Sequence, residues 1–144
     1  MTAELPIKMQ GILYAVTDGK IEYLLIKRTP EDGDFWQPVT GTVHDGEKLL
    51  DCLVREVQEE TGITQLEDVS DCLYRFDWQR SSGERILEFV HAVRIPRDSK
   101  VVLSPEEHEG YKWCSHDEAQ TTLSKDNNKK SFQVINDHLT STLA

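Results

Sequence analysis

Four glutamates stand close together between positions 47 and 60: Glu47, Glu56, Glu59 and Glu60. Their spacing decides what they can do. The segment from about Glu47 to Thr61 reads as one helix. Gly62 closes it, because glycine takes the left-handed cap conformation without a Cβ clash. At about 100° per residue, Glu56 and Glu60 lie roughly 40° apart, one turn from each other. Glu59 lies further round, toward the polar face, within reach of both. Like charges at this spacing cost an isolated helix about 0.2–0.5 kcal/mol per pair. A divalent cation turns that repulsion into chelation, and hard oxygen ligands suit Mg2+ or Mn2+. An acidic helix face can also be no more than a solvated one, so the glutamates need positioning elements around them.

The helix carries Leu49, Leu50, Leu53, Val54 and Val57 at helical spacing, a stripe expected to pack it on the fold. Glu56 and Glu60 sit on one edge of that stripe. Before the helix, Gly41 ends a short strand and Asp45-Gly46 makes the turn. Gly41 reads as a turn residue, or as a place where backbone approaches a ligand closely. His44 reads as a loop histidine. Residues 7–17 and 21–28 read as strands joined by an Asp18-Gly19 hairpin turn. The second is almost continuously apolar, as in a central strand covered on both faces. It ends in Lys27 and Arg28, which are either exposed strand-end charges or phosphate contacts, arginine through its bidentate fork. Residues 29–36 form a loop. Trp36 then either packs or stacks on a flat ring.

After a polar connection at 64–68, residues 69–80 alternate, with Cys72, Tyr74, Phe76 and Trp78 on one face. Ser81-Ser82-Gly83 turns this strand into another over 84–95. There His91 falls in line with Leu87, Phe89 and Val93, as a packed histidine does. Whether Arg75 and Glu88 face a cleft is left open by spacing. Residues 96–100 form a loop and 101–103 a short apolar run. Ser115 to Glu118 is a capping box opening a short helix to about Leu123. Beyond the polar run 126–130, Phe132, Ile135 and Leu139 mark an amphipathic C-terminal helix, with the last few residues expected to fray.

The 144 residues are expected to form one domain, 1–144. A net charge of -10 argues against nucleic acid as a partner, because such binding needs cationic surface. An acidic chain also repels a bare polyphosphate, so a phosphate substrate is expected to meet a metal in the site. Cys52, Cys72 and Cys114 show no CxxC spacing and read as reduced thiols, Cys52 and Cys72 as packing residues. No apolar run reaches the ~20 residues that span a bilayer, and the first residues do not read as a signal peptide. The expected location is the cytoplasm.

Gly41, Glu47, Arg55-Glu56, Val57, Glu59-Glu60, Gly62 and Ile63 stand at the spacing of the Nudix signature, and the chain resembles the Nudix hydrolases at every defined position. The resemblance implies an α+β fold, an α/β/α sandwich with the signature helix on one face of a mixed sheet and the C-terminal helix on the other. It implies a metal-dependent pyrophosphohydrolase. In that family the carbonyl of Gly41 with Glu56 and Glu60 would hold a divalent ion. Glu59 would complete the site or bind a second ion, and Glu47 would orient Arg55. The segment FWQPVTGTV resembles the bacterial dihydroneopterin triphosphate pyrophosphohydrolases. Diadenosine tetraphosphate hydrolases of the same family commonly carry lysine where Thr40 stands here. Glu107, His108, Tyr111 and Trp113 resemble a segment of both subgroups whose glutamate adds a metal ligand or assists the base. The resemblance leaves Glu59 and Glu107 as alternatives for the base, and Tyr111 or Trp113 either lines the substrate pocket or is buried in the core. The implied substrate is a nucleoside or pterin polyphosphate. A silent nucleotide-binding module is the alternative from another class, and such modules usually lose signature glutamates that all stand here.

Overall fold

The computed structural model describes residues 6–143. The expected signal-free N-terminus falls on residues 1–5, which lie outside the described residues, as does Ala144 at the expected fraying end.

A mixed sheet is built around β1 (Ile7–Thr17). Asp18 and Gly19 both take positive φ, 51° and 77°, and fold β1 back into β2 (Lys20–Arg28). This is the paired left-handed geometry that two-residue hairpins require. β1 also pairs antiparallel with β4 (Val39–Thr42) and parallel with β7 (Arg85–Arg94). β2 carries β3 (Trp36–Gln37) and β8 (His108–Cys114). β7 carries β5 (Asp68–Val69) and β6 (Tyr74–Gln79).

Alternation along the central strands makes two cores. Met9, Leu13, Leu24 and Ile26 pack under α1 (Leu49–Thr61), with its Cys52, Leu53 and Val57. Ile12, Tyr14, Tyr23 and Leu25 pack on the other face against Ala119 of α2 (His116–Thr122) and Phe132, Ile135 and Leu139 of α3 (Asp126–Thr142). The sandwich expected from the resemblance is therefore present, with β2 covered on both faces. Ser115 and Glu118 form the capping box of α2, and Gly62 (φ 73°) closes α1 with its N–H on the carbonyl of Gln58.

Four details differ from the sequence reading. The helix α1 starts at Leu49, two residues later than expected, with Glu47 in the turn before it. Its buried stripe is Cys52, Leu53, Val57, Glu60 and Thr61, while Leu49, Leu50 and Val54 are exposed. The run 69–80 divides into β5 and β6, and Cys72 is exposed in the break between them. Finally, α3 begins at Asp126, so its polar first turn belongs to the helix. His91 is packed as expected, with Nδ1 2.8 Å from the carbonyl oxygen of Ser70. No described helix is long and apolar enough to cross a membrane.

Candidate active site

Gly46 (φ 77°) turns the chain ahead of α1 and leaves Glu47 outside the helix. From there its carboxylate reaches Arg55, two turns up. Arg55 Nε donates to Oε2 of Glu47 at 2.7 Å and Nη2 to Oε1 at 3.0 Å, a fork-on-fork pair. The same guanidinium donates to Glu56 (2.8 Å), Glu59 (3.2 Å) and the carbonyl of Thr42 (3.2 Å). It thus ties the turn, the helix and β4 together. Its hydrogen bonds hold the Glu47 carboxyl at about 2, well below the ordinary carboxylate range.

Gly41 in β4 lies against Glu56, close enough that a Cβ would fall 2.0 Å from Cδ of that glutamate. One turn on, Glu60 is buried and its Oε2 has no partner among the described residues. Burial, then the neighbouring Glu56 and Glu107 carboxylates, push its carboxyl far up from the ordinary range. Glu107 stands exposed in the turn before β8, and its carbonyl accepts from the N–H of Thr29 at 3.1 Å. Glu59 is also exposed.

His108 was not singled out as a site residue by the sequence reading. It is buried, with Nε2 3.6 Å from Oε1 of Glu60 and 3.1 Å from the amide nitrogen of Gln37. Burial pushes its imidazole down from the usual histidine value. Glu60, Glu107 and His108 each offer a ligand atom within 4.8 Å of the others. A buried carboxylate oxygen with no partner, between two further carboxylates and an imidazole, fits a divalent cation. The adjacency of Glu107 and His108 was the available signal for the histidine.

The cation pair at the end of β2 separates. Lys27 is engaged by Asp34 at 3.2 Å and Glu109 at 2.8 Å. Arg28 lies beside Asp32 and Gln37 and faces a cavity of about 270 Å3. Phe35, Phe76, Trp78, Glu88 and Lys8 line it with Arg28, and Lys125 and Asn127 border it at the start of α3. Thr40 and Gln37 join the cavity to the glutamate cluster, since Thr40 precedes Gly41 and Gln37 touches His108. The stacking candidates lie elsewhere. Trp36 packs on the α3-side core with Lys112 Nζ 5.1 Å from its ring, and Tyr111 is exposed on β8. Phe35, next to Trp36, is the one in the cavity. Arg75 points away and Glu88 points in, which the alternation of β6 alone left undecided.

The pattern of the Nudix domain matches residues 8–137. The chain belongs to the Nudix family. Nudix hydrolases use divalent metals, in keeping with the donor set just described. Three relatives are similar to this chain over most of their length. The dihydroneopterin triphosphate diphosphatase of Escherichia coli is 27% identical over 148 residues, with 91% of this chain and 93% of the relative covered. The CTP pyrophosphohydrolase of Escherichia coli is 33% identical, with 78% and 80% covered. The asymmetrical bis(5'-nucleosyl)-tetraphosphatase of Rattus norvegicus is 32% identical, with 90% and 88% covered. An octanoyltransferase of Myxococcus xanthus is 32% identical over 114 residues, and the chain spans only 31% of its length. Among solved structures, a Caenorhabditis elegans Ap4A hydrolase complex superposes with a TM-score of 0.81 at 24% identity, covering 95% of this chain and 99% of the other. The Escherichia coli dihydroneopterin triphosphate pyrophosphohydrolase gives 0.75 at 28% identity, covering 90% and 95%. This Nudix chain is thus an enzyme of a family that hydrolyses phosphoanhydrides.

Proposed function

We propose that the protein is a divalent-metal-dependent pyrophosphohydrolase acting on dihydroneopterin triphosphate or a (deoxy)nucleoside triphosphate, with a monophosphate and pyrophosphate as products. The observation that carries this is the buried Glu60 oxygen with no partner among the described residues, beside Glu107 and one helical turn from Glu56, which lies against Gly41. Glu56, Glu60 and the Gly41 carbonyl are the proposed metal ligands, with Glu59, Glu107 and His108 completing the donor set. Bound Mg2+ or Mn2+ supplies charge neutralisation to the polyphosphate.

The protein's own groups do the rest. Arg55 fixes Glu56 and Glu59 in place, with Glu47 holding Arg55. Arg28, held by Asp32 and Gln37 in the cavity wall, is the proposed cationic contact to phosphate. Glu59 and Glu107 are the exposed carboxylates of the cluster and so the ones able to take a proton from an attacking water. The rat tetraphosphatase relative supports a second reading, a dinucleoside polyphosphate hydrolase, while Thr40 in the cavity wall, where those hydrolases commonly carry lysine, favours the first.

A Mg2+-dependent hydrolysis panel with product identification tests the reading. Dihydroneopterin triphosphate, nucleoside triphosphates and diadenosine tetraphosphate are compared for wild type, Glu56→Gln and Glu60→Gln. Pyrophosphate released fastest from the pterin or a nucleoside triphosphate, and lost in both variants, is expected. ATP from diadenosine tetraphosphate as the fastest reaction would select the second reading. Turnover unchanged in both variants would overturn the metal site.

A further inference from the structure

Glu88 lies in β7, the strand beside β1, and takes no part in the glutamate cluster. It is only 4% exposed, yet among the described residues no lysine or arginine is within ion-pair distance of it. Burying a carboxylate without a cation is costly, so such a group needs strong hydrogen-bond donors. Two are supplied by the protein. Gln10 of β1 donates from Nε2 to Oε2 at 2.5 Å, and Trp78 of β6 donates from Nε1 to Oε1 at 3.0 Å. A carboxylate has about four lone-pair positions, so one remains free on each oxygen. The same residue lines the cavity with Phe35, Phe76 and Trp78. A carboxylate with one open position per oxygen, set among aromatic side chains, accepts one bidentate donor edge of a flat ring.

We infer that Glu88 reads the ring of the substrate, and that the substrate presents a ring N–H beside an exocyclic amine. The edge of guanine and the 2-amino-4-oxo edge of a pterin have this pattern. Adenine and cytosine put a ring acceptor beside their amine, which a carboxylate repels, and uracil has no amine. The inference rests on the pyrophosphohydrolase reading and narrows its substrate class. The same cavity wall carries Arg28 and Thr40, and Thr40 precedes Gly41, so a ring at Glu88 leaves its triphosphate to run toward the glutamate cluster. Gln10 and Trp78 are positioning residues here, since they orient the carboxylate.

The test uses the full chain and two readouts. First, kcat/KM with Mg2+ is measured for GTP, ITP and ATP. A good bidentate contact discriminates by about 10- to 100-fold, so GTP is expected to exceed ATP by at least that, with ITP between them. Second, quenching of tryptophan fluorescence by GMP and AMP reports binding without turnover. In Glu88→Gln the GTP preference is expected to fall to about threefold or less, mainly through KM. Wild-type measurements alone decide the matter should that variant fail to fold. Equal use of ATP and GTP by wild type, or an unchanged preference in a folded Glu88→Gln, would overturn the inference. Tighter binding of GMP than AMP with no turnover of any triphosphate would uphold the role of Glu88 while overturning the pyrophosphohydrolase reading.

Discussion

Gly41 and Glu56 meet with no room for a methyl group between them: a Cβ on Gly41 would lie 2.0 Å from Cδ, 2.1 Å from Cγ and 2.3 Å from Oε1 of the glutamate. Gly41 is not among the glycines with positive φ, so what this position demands is space rather than a special backbone conformation. The strand and the helix approach each other only because residue 41 has no side chain. Gly41→Ala must therefore push the Glu56 carboxylate out of its place. We expect kcat/KM to fall at least about 100-fold, as for a misplaced catalytic group. Overpacking should cost about 1–3 kcal/mol of stability. Steady-state kinetics and denaturant unfolding on one preparation check both, and an active, fully stable variant would contradict the contact.

Arg55 makes contacts that no single point charge can replace. Its guanidinium reaches Glu47, Glu56, Glu59 and the Thr42 carbonyl at once. Arg55→Lys keeps the charge and loses the fork. Metal affinity or turnover should fall about 10- to 100-fold, as for other groups that orient ligands, with circular dichroism unchanged. The same network gives an acid signature. The Glu47 carboxyl lies at about 2 in the fold against an ordinary 4.5. A depressed carboxyl contributes stability above the unfolded value, and that contribution is lost as pH falls through the folded one. Between about pH 4.5 and 2, unfolding midpoints of Glu47→Gln should therefore fall less steeply than those of wild type.

Glu60 shifts in the opposite sense. Burial and its acidic neighbours raise its carboxyl above the ordinary 4.5. In the pH range above 4.5 the folded protein then holds a proton that the unfolded chain has released, so stability without metal falls as pH rises through that range. A cation that binds the ionised form reverses the cost, and ligand binding to the folded state raises its stability. The rise in Tm on adding Mg2+ or Mn2+ should grow from pH 5 to pH 8, and chelation should abolish it. In Glu60→Gln the metal effect should shrink and lose its pH dependence. A metal shift that is equal at both pH values in wild type would count against Glu60 as a ligand.

Much of this was legible in the chain because it is local. Glu47, Arg55, Glu56 and Glu60 lie within fourteen positions, so helical spacing and one turn fix their relation. The Asp18-Gly19 hairpin and the Ser115–Glu118 capping box are likewise local chemistry, and both stand as read. The cavity was not legible. Lys8, Arg28, Phe76, Glu88 and Lys125 come from five separate segments, and the long-range parallel pairing of β1 with β7 and the docking of α3 are needed to bring them together. Trp36 and Phe35 are neighbours in sequence, yet Trp36, the first residue of β3, packs on the core while Phe35, just before the strand, lines the cavity. Periodicity located the helix but misplaced its buried face. Five apolar residues gave one stripe, whereas the sheet covers the side carrying Cys52 and Glu60 and leaves Leu49, Leu50 and Val54 exposed. A buried glutamate is invisible to a hydrophobic pattern, because a polar residue adds nothing to an apolar stripe, and its proposed role as a metal ligand is what gives it a reason to be buried.

That misplaced stripe can be tested on two leucines three residues apart. Leu53 is fully buried between β1 and α1, where its Cδ1 lies 2.9 Å from the position a Cβ on Gly11 would take. Truncating it leaves a cavity against a rigid strand, and Leu53→Ala should cost about 2–5 kcal/mol. Leu50 is 50% exposed on the same helix. Leu50→Ala removes little buried surface and gains helix propensity, so its effect should stay within about 0.5 kcal/mol. Urea unfolding of both variants gives the comparison directly. Equal losses would mean that Leu50 is covered in solution, by a second copy of the chain or another partner, and the concentration dependence of the midpoint would separate those two causes.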